Sequence, residues 1–219
     1  MPYYPGLFFS SMFTPRINKE TNWDTIAAFI RENAFGMLVN VDDAGTPHAT
    51  HIPVTLVEKK DGRFVLHGHI AKENPQWNWF TRGTALMVFT APHAYISSSW
   101  YEKEKIPTWN YIAVHIHGAM RIMDEATLLQ SLEVLMDHYE APSACPVHIS
   151  DITPKSLENN MKAIVGFEMD VQEVNARFKL SQNKNDHDYF SVITHLRARG
   201  DENSRRIAAE MEVRRPPAG

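Results

Sequence analysis

The chain carries a single cysteine, Cys145, among 219 residues. One thiol cannot form an intrachain disulfide, so a cross-linked secreted scaffold is not expected and a reducing compartment fits. Glycine-rich phosphate loops are absent: neither GxGxxG nor GxxxxGK[ST] occurs. Any phosphate must therefore be held by another device. No run of ~18 apolar residues is present, so no helical membrane span is expected. The opening MPYYPGLFFSSMFTPR lacks a basic start and a long apolar core, so it does not read as a signal peptide, and a cytoplasmic location is expected. Charge of one sign is not in large excess. A formal net charge of −4 argues against a protein held to nucleic acid mainly by its overall charge, while a local basic patch stays open.

What is present is the composition of an ordinary globular protein, 43% hydrophobic and 22% charged, with length enough for a large core in one domain. Pro2, Pro5 and Pro15 make the first twenty residues an extended arm. Asn22 caps a helix over 23–33, with Ile26, Ala27, Phe29 and Ile30 as its apolar stripe. Strands follow at 35–41, 46–57 and 63–69, joined by turns at Asp42–Gly45 and Lys60–Gly62, a meander. Pro53 inside the second of these predicts an edge, a bulge or a break in the ladder.

Asn74-Pro75 opens a helix to about Arg82. Strands at 84–90, 110–123 and 164–174 alternate with an amphipathic helix at 124–139 and a short one at 155–161, and 92–101 reads as irregular. Two helices, 186–199 and 201–213, close the chain, divided by Gly200. Six or seven strands in one sheet system favour a small closed or split barrel with peripheral helices. The expected organisation is a single domain over 1–219, with the C-terminal helices 185–213 packed on it.

Four groups could carry chemistry. His67 with His69, and His115 with His117, sit at strand spacing, and each pair shares a face. No third ligand follows at a recognisable spacing, so no metal site is assigned. The segment His67–Trp77 (HGHIAKENPQW) joins a strand end, a lysine and a capped helix start. Lys72, Asn74 and the free N–H groups of that helix could hold an anion, although a solvated lysine before a helix explains the same residues. The stretch Tyr95–Tyr111 is dense in aromatics, suited to a planar ligand, an oligomer interface or core packing. The polar run Phe178–Lys184 suits ligand contact or a capping loop.

In this order HIP at His51–Pro53, HGHIAKENPQW, YISSSWY, PTWNY, KLSQNK and ARGDE resemble the PaiB family of FMN-binding negative transcriptional regulators, over nearly the whole chain. The resemblance implies a mainly β fold, an antiparallel split β-barrel with C-terminal helices. It implies bound FMN in a homodimer, with the flavin near the subunit interface. It places Thr50, His51, Ile52 and Pro53 beside the flavin ring or ribityl chain, and His69, Ala71, Lys72 and Asn74 near the phosphate. Trp109 and Asn110 would lie near the ring, from the same or the other subunit, with Lys179 and Gln182 as further contacts. Ser98 stands where the family usually has proline, and the 101–107 loop is shorter than usual.

Cofactor binding and biological role are separate matters. A flavoprotein repressor, an FMN-dependent oxidoreductase and a haem-binding split barrel all remain open. So does direct DNA contact, for which the arginines of the last two helices give thin support.

Overall fold

A computed structural model describes residues 12–103 and 105–215, and the expected arm up to residue 11 lies outside them. The chain divides into two compact units. The larger holds residues 22–90 and 114–174; the smaller holds residues 1–21, 91–113 and 175–219. Among the described residues no helix is long and apolar enough to cross a membrane.

The larger unit begins with α1 (Trp23–Glu32). The Asn22 side chain accepts from the Thr25 N–H at 2.9 Å, and Ile26, Ala27, Phe29 and Ile30 are buried, as the 3.6-residue spacing predicts. The meander is β2 (Phe35–Val41), β3 (Pro47–Glu58) and β4 (Phe64–Ala71). β3 pairs with β2 through Pro47–Pro53 and with β4 through Val54–Glu58. Pro53, without an N–H to donate, thus stands where the strand changes partners, one of the three outcomes its position allowed.

The remaining strands of this unit are the first part of β5 (Thr84–Ile96), the second part of β6 (Thr108–Ile122) and β7 (Ile164–Asp170). The ladder runs β5-β2-β3-β4-β7, and β6 neighbours both β5 and β7, so six strands close into a ring. Its core is alternate residues: Leu38, Ile52, Val54, Leu66, Met87, Phe167 and Met169. Gly68 is required by this packing. A Cβ there would lie 2.7 Å from the Phe167 ring and 3.2 Å from Val54 Cγ1. Gly118 is tighter still, since its Cβ would fall 1.6 Å from the Asp170 carbonyl oxygen. The peripheral helices α2 (Glu125–Glu140) and α3 (Pro154–Lys162) bury only Leu128 and Met161 respectively.

In the smaller unit the strand order is β1 (Lys19–Glu20), β8 (Glu173–Lys179), β6, β5. The helices α4 (Asp186–Arg199) and α5 (Glu202–Arg214) form an antiparallel hairpin. Gly200 adopts φ 76° between them, and Asp201 caps α5 by accepting from the Ser204 N–H. Val192, Leu196, Ile207 and Met211 are fully buried, and the Tyr189 hydroxyl donates to the Met211 carbonyl at 2.8 Å.

Four expectations are corrected. The segment 164–174 is two strands, because Val171 and Gln172 turn between β7 and β8. With the two-residue β1, this brings the described strands to eight. Residues 92–96 are not irregular: Ala94 and Ile96 are buried while His93 and Tyr95 are exposed, so β5 continues with period two. β8 runs to Lys179, so Phe178 and Lys179 belong to a strand and the loop begins at Leu180. The helix expected from Asn74 to Arg82 is a five-residue 3₁₀ turn, Pro75–Trp79. Its stacked peptide dipoles are too few for the electrostatic pull of a full helix.

Candidate functional site

The larger unit holds eight of the residues singled out, on two faces of β3 and on the end of β4. Gln76, fully buried in the 3₁₀ turn, organises one face. Its Nε2 donates to the carbonyls of Leu38 on β2 at 3.3 Å and His48 on β3 at 3.2 Å. Its Oε1 accepts from the Thr50 hydroxyl at 2.5 Å. Thr50 Oγ1 in turn accepts from Asn74 Nδ2 at 3.0 Å, and Asn74 Oδ1 accepts from the Gln76 N–H at 3.0 Å. Asn40 Nδ2 donates to the Gln76 carbonyl at 3.3 Å. The result is a polar network that links β2, β3 and the 3₁₀ turn and fixes the rotamers of Thr50, Asn74 and Gln76 more strongly than its separate bonds suggest.

The loop 71–75 is pinned at its backbone. The Lys72 N–H donates to the Ala163 carbonyl at 2.8 Å, and the Lys72 carbonyl accepts from Trp77 Nε1 at 2.9 Å. The Lys72 side chain is exposed, and its ammonium meets no carboxylate among the described residues. Lys72 Nζ and the second Asn74 amide hydrogen are therefore available donors on a rigid loop. That donor set fits a phosphate monoester, with Lys72 as a point charge and Asn74 as a directed bond.

The other face differs. His51 is exposed and lies parallel to Phe35, with centroids 6.2 Å apart. Pro53 shares its side, whereas the Ile52 side chain is in the core and can offer a ligand only its backbone. The structure thus brings Thr50 to Asn74 and sets His51 and Pro53 on the opposite surface. His69 is half-buried opposite Gly166, and burial lowers its pKa below the ordinary histidine value. Ala71 closes β4, exposed, opposite Ile164.

Trp109, Asn110, Lys179 and Gln182 belong to the smaller unit. Trp109 is half exposed and meets Tyr95 edge-on at 5.8 Å and His93 at 5.9 Å, an aromatic surface. Asn110 points the other way and is fully buried. It exchanges hydrogen bonds with the Ser181 hydroxyl at 3.0 and 3.1 Å. That pair holds Ser181 at φ 59°, a left-handed conformation uncommon outside glycine. Gln182 clamps the same turn, accepting from the Leu180 N–H at 2.8 Å and donating to the Phe178 carbonyl. Lys179 donates to the Thr108 hydroxyl, and burial, with Arg177 nearby, lowers its pKa. Asn110 and Gln182 thus spend their side chains on the fold of their own unit.

Sequence reasoning missed Gln76 and Asn40. A glutamine two residues past a cap looks solvated, and only its burial reveals the role. The available signal was its place between Pro75 and Trp77, inside a segment already singled out.

Comparison with known proteins gives the family and the fold. Residues 12–173 match the family described as "Putative FMN-binding domain". The "Protease synthase and sporulation protein PAI 2" of Bacillus subtilis (strain 168) is 41% identical over 202 residues, covering 92% of this chain and 97% of that one. Among solved structures, the FAD and heme binding protein of Mycobacterium smegmatis superposes with a TM-score of 0.60 at 14% identity, over 84% of this chain and 80% of that one. A flavocytochrome of Azotobacter vinelandii gives 0.55 at 15% identity, over 78% and 74%. The fold is a split β-barrel of the flavin-binding kind. The chain belongs to the FMN-binding family, of the PaiB type, and FMN is its cofactor.

Proposed function

We propose that the chain is a dimeric FMN-binding regulator that lowers transcription of its target genes. Flavin binding in this reading is carried by the network of Gln76, Thr50 and Asn74 beside Lys72, whose ammonium meets no carboxylate among the described residues. In this reading Lys72 and Asn74 hold the flavin phosphate, and the backbone of Thr50–Pro53 borders the ribityl chain or ring. His69 and Ala71 flank the loop, and Trp109 offers its ring for stacking. Bound flavin supplies redox chemistry; the chain's own residues bind, orient and shield it. Regulation is supported by likeness to the Bacillus subtilis protein, whose name refers to protease synthesis and sporulation.

Dimerisation draws on one face of β2, β3 and β5. Met37 pairs with His51 and Val88, and Val39 pairs with Ala49 and Leu86. Phe35 on this face is 66% exposed and Val41 49% exposed. Such a contiguous apolar sheet face is what a second subunit covers. The last two helices lend little to DNA contact. Arg197 is taken up by Glu212 at 2.6 Å, Arg214 by Glu210 at 2.5 Å and Arg215 by Asp186 at 3.2 Å.

An oxidoreductase is the second reading, favoured by His69. Burial keeps this imidazole neutral near pH 7, so it can give or take a proton. Two measurements separate the readings. A flavin-dependent change in salt-sensitive promoter binding, or in reporter repression, supports the regulator. Flavin-dependent NAD(P)H turnover without any effect on expression supports the enzyme.

A further inference from the structure

A second cluster of charge lies at the other end of β4. We propose that it binds adjacent phosphate groups of a small molecule, such as the diphosphate of a nucleotide, independently of the flavin. A shallow, open depression lies there, lined by Lys59, Lys60, Asp61, Arg63, Arg121 and Glu168. Eight residues of β4 separate Arg63 from Lys72, about 30 Å of strand.

The charges are layered. The side chains of Glu168 and Asp170 are recessed, 15% and 18% exposed, beneath Arg121 and Arg63, which are 49% and 59% exposed. Arg121 donates through Nη2 to Glu168 at 2.6 Å and Asp170 at 2.9 Å, and through Nη1 to Asp170 at 2.7 Å. Arg63 donates through Nη1 to Asp170 at 3.4 Å and through Nε to Asp61 at 2.8 Å. Lys59 donates to Glu168, whose other oxygen serves Arg121. The recessed carboxylates therefore act as anchors that hold the cations in place and leave donors outward. Arg63 Nη2, Arg121 Nε and the Lys60 ammonium meet no acceptor among the described residues.

A plain surface ion-pair network would balance its charges and stabilise little. Here four cations stand over three carboxylates. Asp61, 54% exposed on the rim, is a replaceable acceptor for Arg63. An arriving phosphate takes its place on a guanidinium fork whose geometry matches it. With Asp61 turned outward, the Arg63 fork can take one phosphate and the Lys60 ammonium or Arg121 Nε a second, so two adjacent phosphates engage more donors than one.

The test is calorimetric titration of full-length, flavin-saturated protein with ADP, pyrophosphate and inorganic phosphate in separate arms. Saturable binding of ADP or pyrophosphate at one site per chain is expected, with inorganic phosphate weaker. Tighter binding of ADP assigns the site to nucleotides; equal binding assigns it to the diphosphate group itself. Lys60→Glu and Arg63→Gln, both exposed and compatible with folding, should each weaken binding about tenfold or more. Lys72→Ala should leave it unchanged, which separates this site from the flavin reading. No saturable binding in any arm overturns the proposal. So does binding that survives both charge variants, or duplex DNA bound through Lys60 and Arg63 while the small anions are not.

Discussion

The Thr50 hydroxyl donates to buried Gln76 Oε1 at 2.5 Å, and the same Gln76 amide reaches the backbones of β2 and β3. One side chain thus sets where Thr50 sits, and through it where Asn74 points. Gln76→Leu keeps approximate volume but takes a donor from the Leu38 and His48 carbonyls and the acceptor from the Thr50 hydroxyl. A buried group left without its partner costs about 1–3 kcal/mol, so a loss of about 2 kcal/mol or more is expected in urea unfolding. A change below about 0.5 kcal/mol would show that the network does not hold the site.

Two glycines should differ in their tolerance of a methyl group. At Gly68 the obstacle is a Phe167 ring, which can shift, so Gly68→Ala should cost about 1–3 kcal/mol. At Gly118 the obstacle is the Asp170 backbone carbonyl, which cannot move without breaking the β6–β7 crossing. Gly118→Ala should be the more damaging, giving little soluble folded protein. The reverse order in a thermal melt would contradict the packing described.

How much of this was legible in the sequence depends on distance along the chain. The α1 stripe, the β2–β3–β4 meander and the Gly200 stop are local signals, and each appears where spacing placed it. Pro53 announced an edge, a bulge or a break without deciding among them, because the change from β2 to β4 is a long-range event. The two-strand division at Val171-Gln172 was hidden by alternation that continues across the turn. Gln76 was silent because burial of a polar side chain is fixed by partners tens of residues away, Leu38 and His48. Lys72 and Asn74 stood out through their segment, and the resemblance gave their ligand.

Acid should weaken the fold in two stages. Burial depresses the imidazoles of His67, His69 and His115, partly offset at His67 by its bond to Glu168. The unfolded chain binds these protons more readily, so stability falls as pH drops through the ordinary value of 6.5. Burial opposes the Glu168 charge, but Lys59, Arg121 and His67 outweigh it and bring the carboxyl from 4.5 to about 2. Its contribution is present above 4.5 and is lost as pH falls toward about 2. Urea midpoints should therefore decline from about pH 7.5 to about pH 5.5, then again below the carboxylate range. His69→Asn should flatten the first decline; a flat or rising wild-type profile would refute the assignment.

The apolar face of β2, β3 and β5 should report on assembly. Val39→Glu introduces a charge at its centre, between Ala49 and Leu86. Sedimentation should give a dimer for the parent and a monomer for the variant, with the barrel still folded by circular dichroism. A parent that is monomeric at all concentrations would remove the dimer from the proposed function.

In the proposed function FMN is held by its phosphate on the Lys72–Asn74 loop. The most direct measurement is a titration of the purified protein with FMN and with riboflavin, followed by quenching of flavin fluorescence, for the parent and Lys72→Ala. The parent should bind FMN far more tightly than riboflavin, and Lys72→Ala should lose about 1.5–3 kcal/mol for FMN alone. Equal affinity for FMN and riboflavin, or an unchanged FMN affinity in Lys72→Ala, would contradict it.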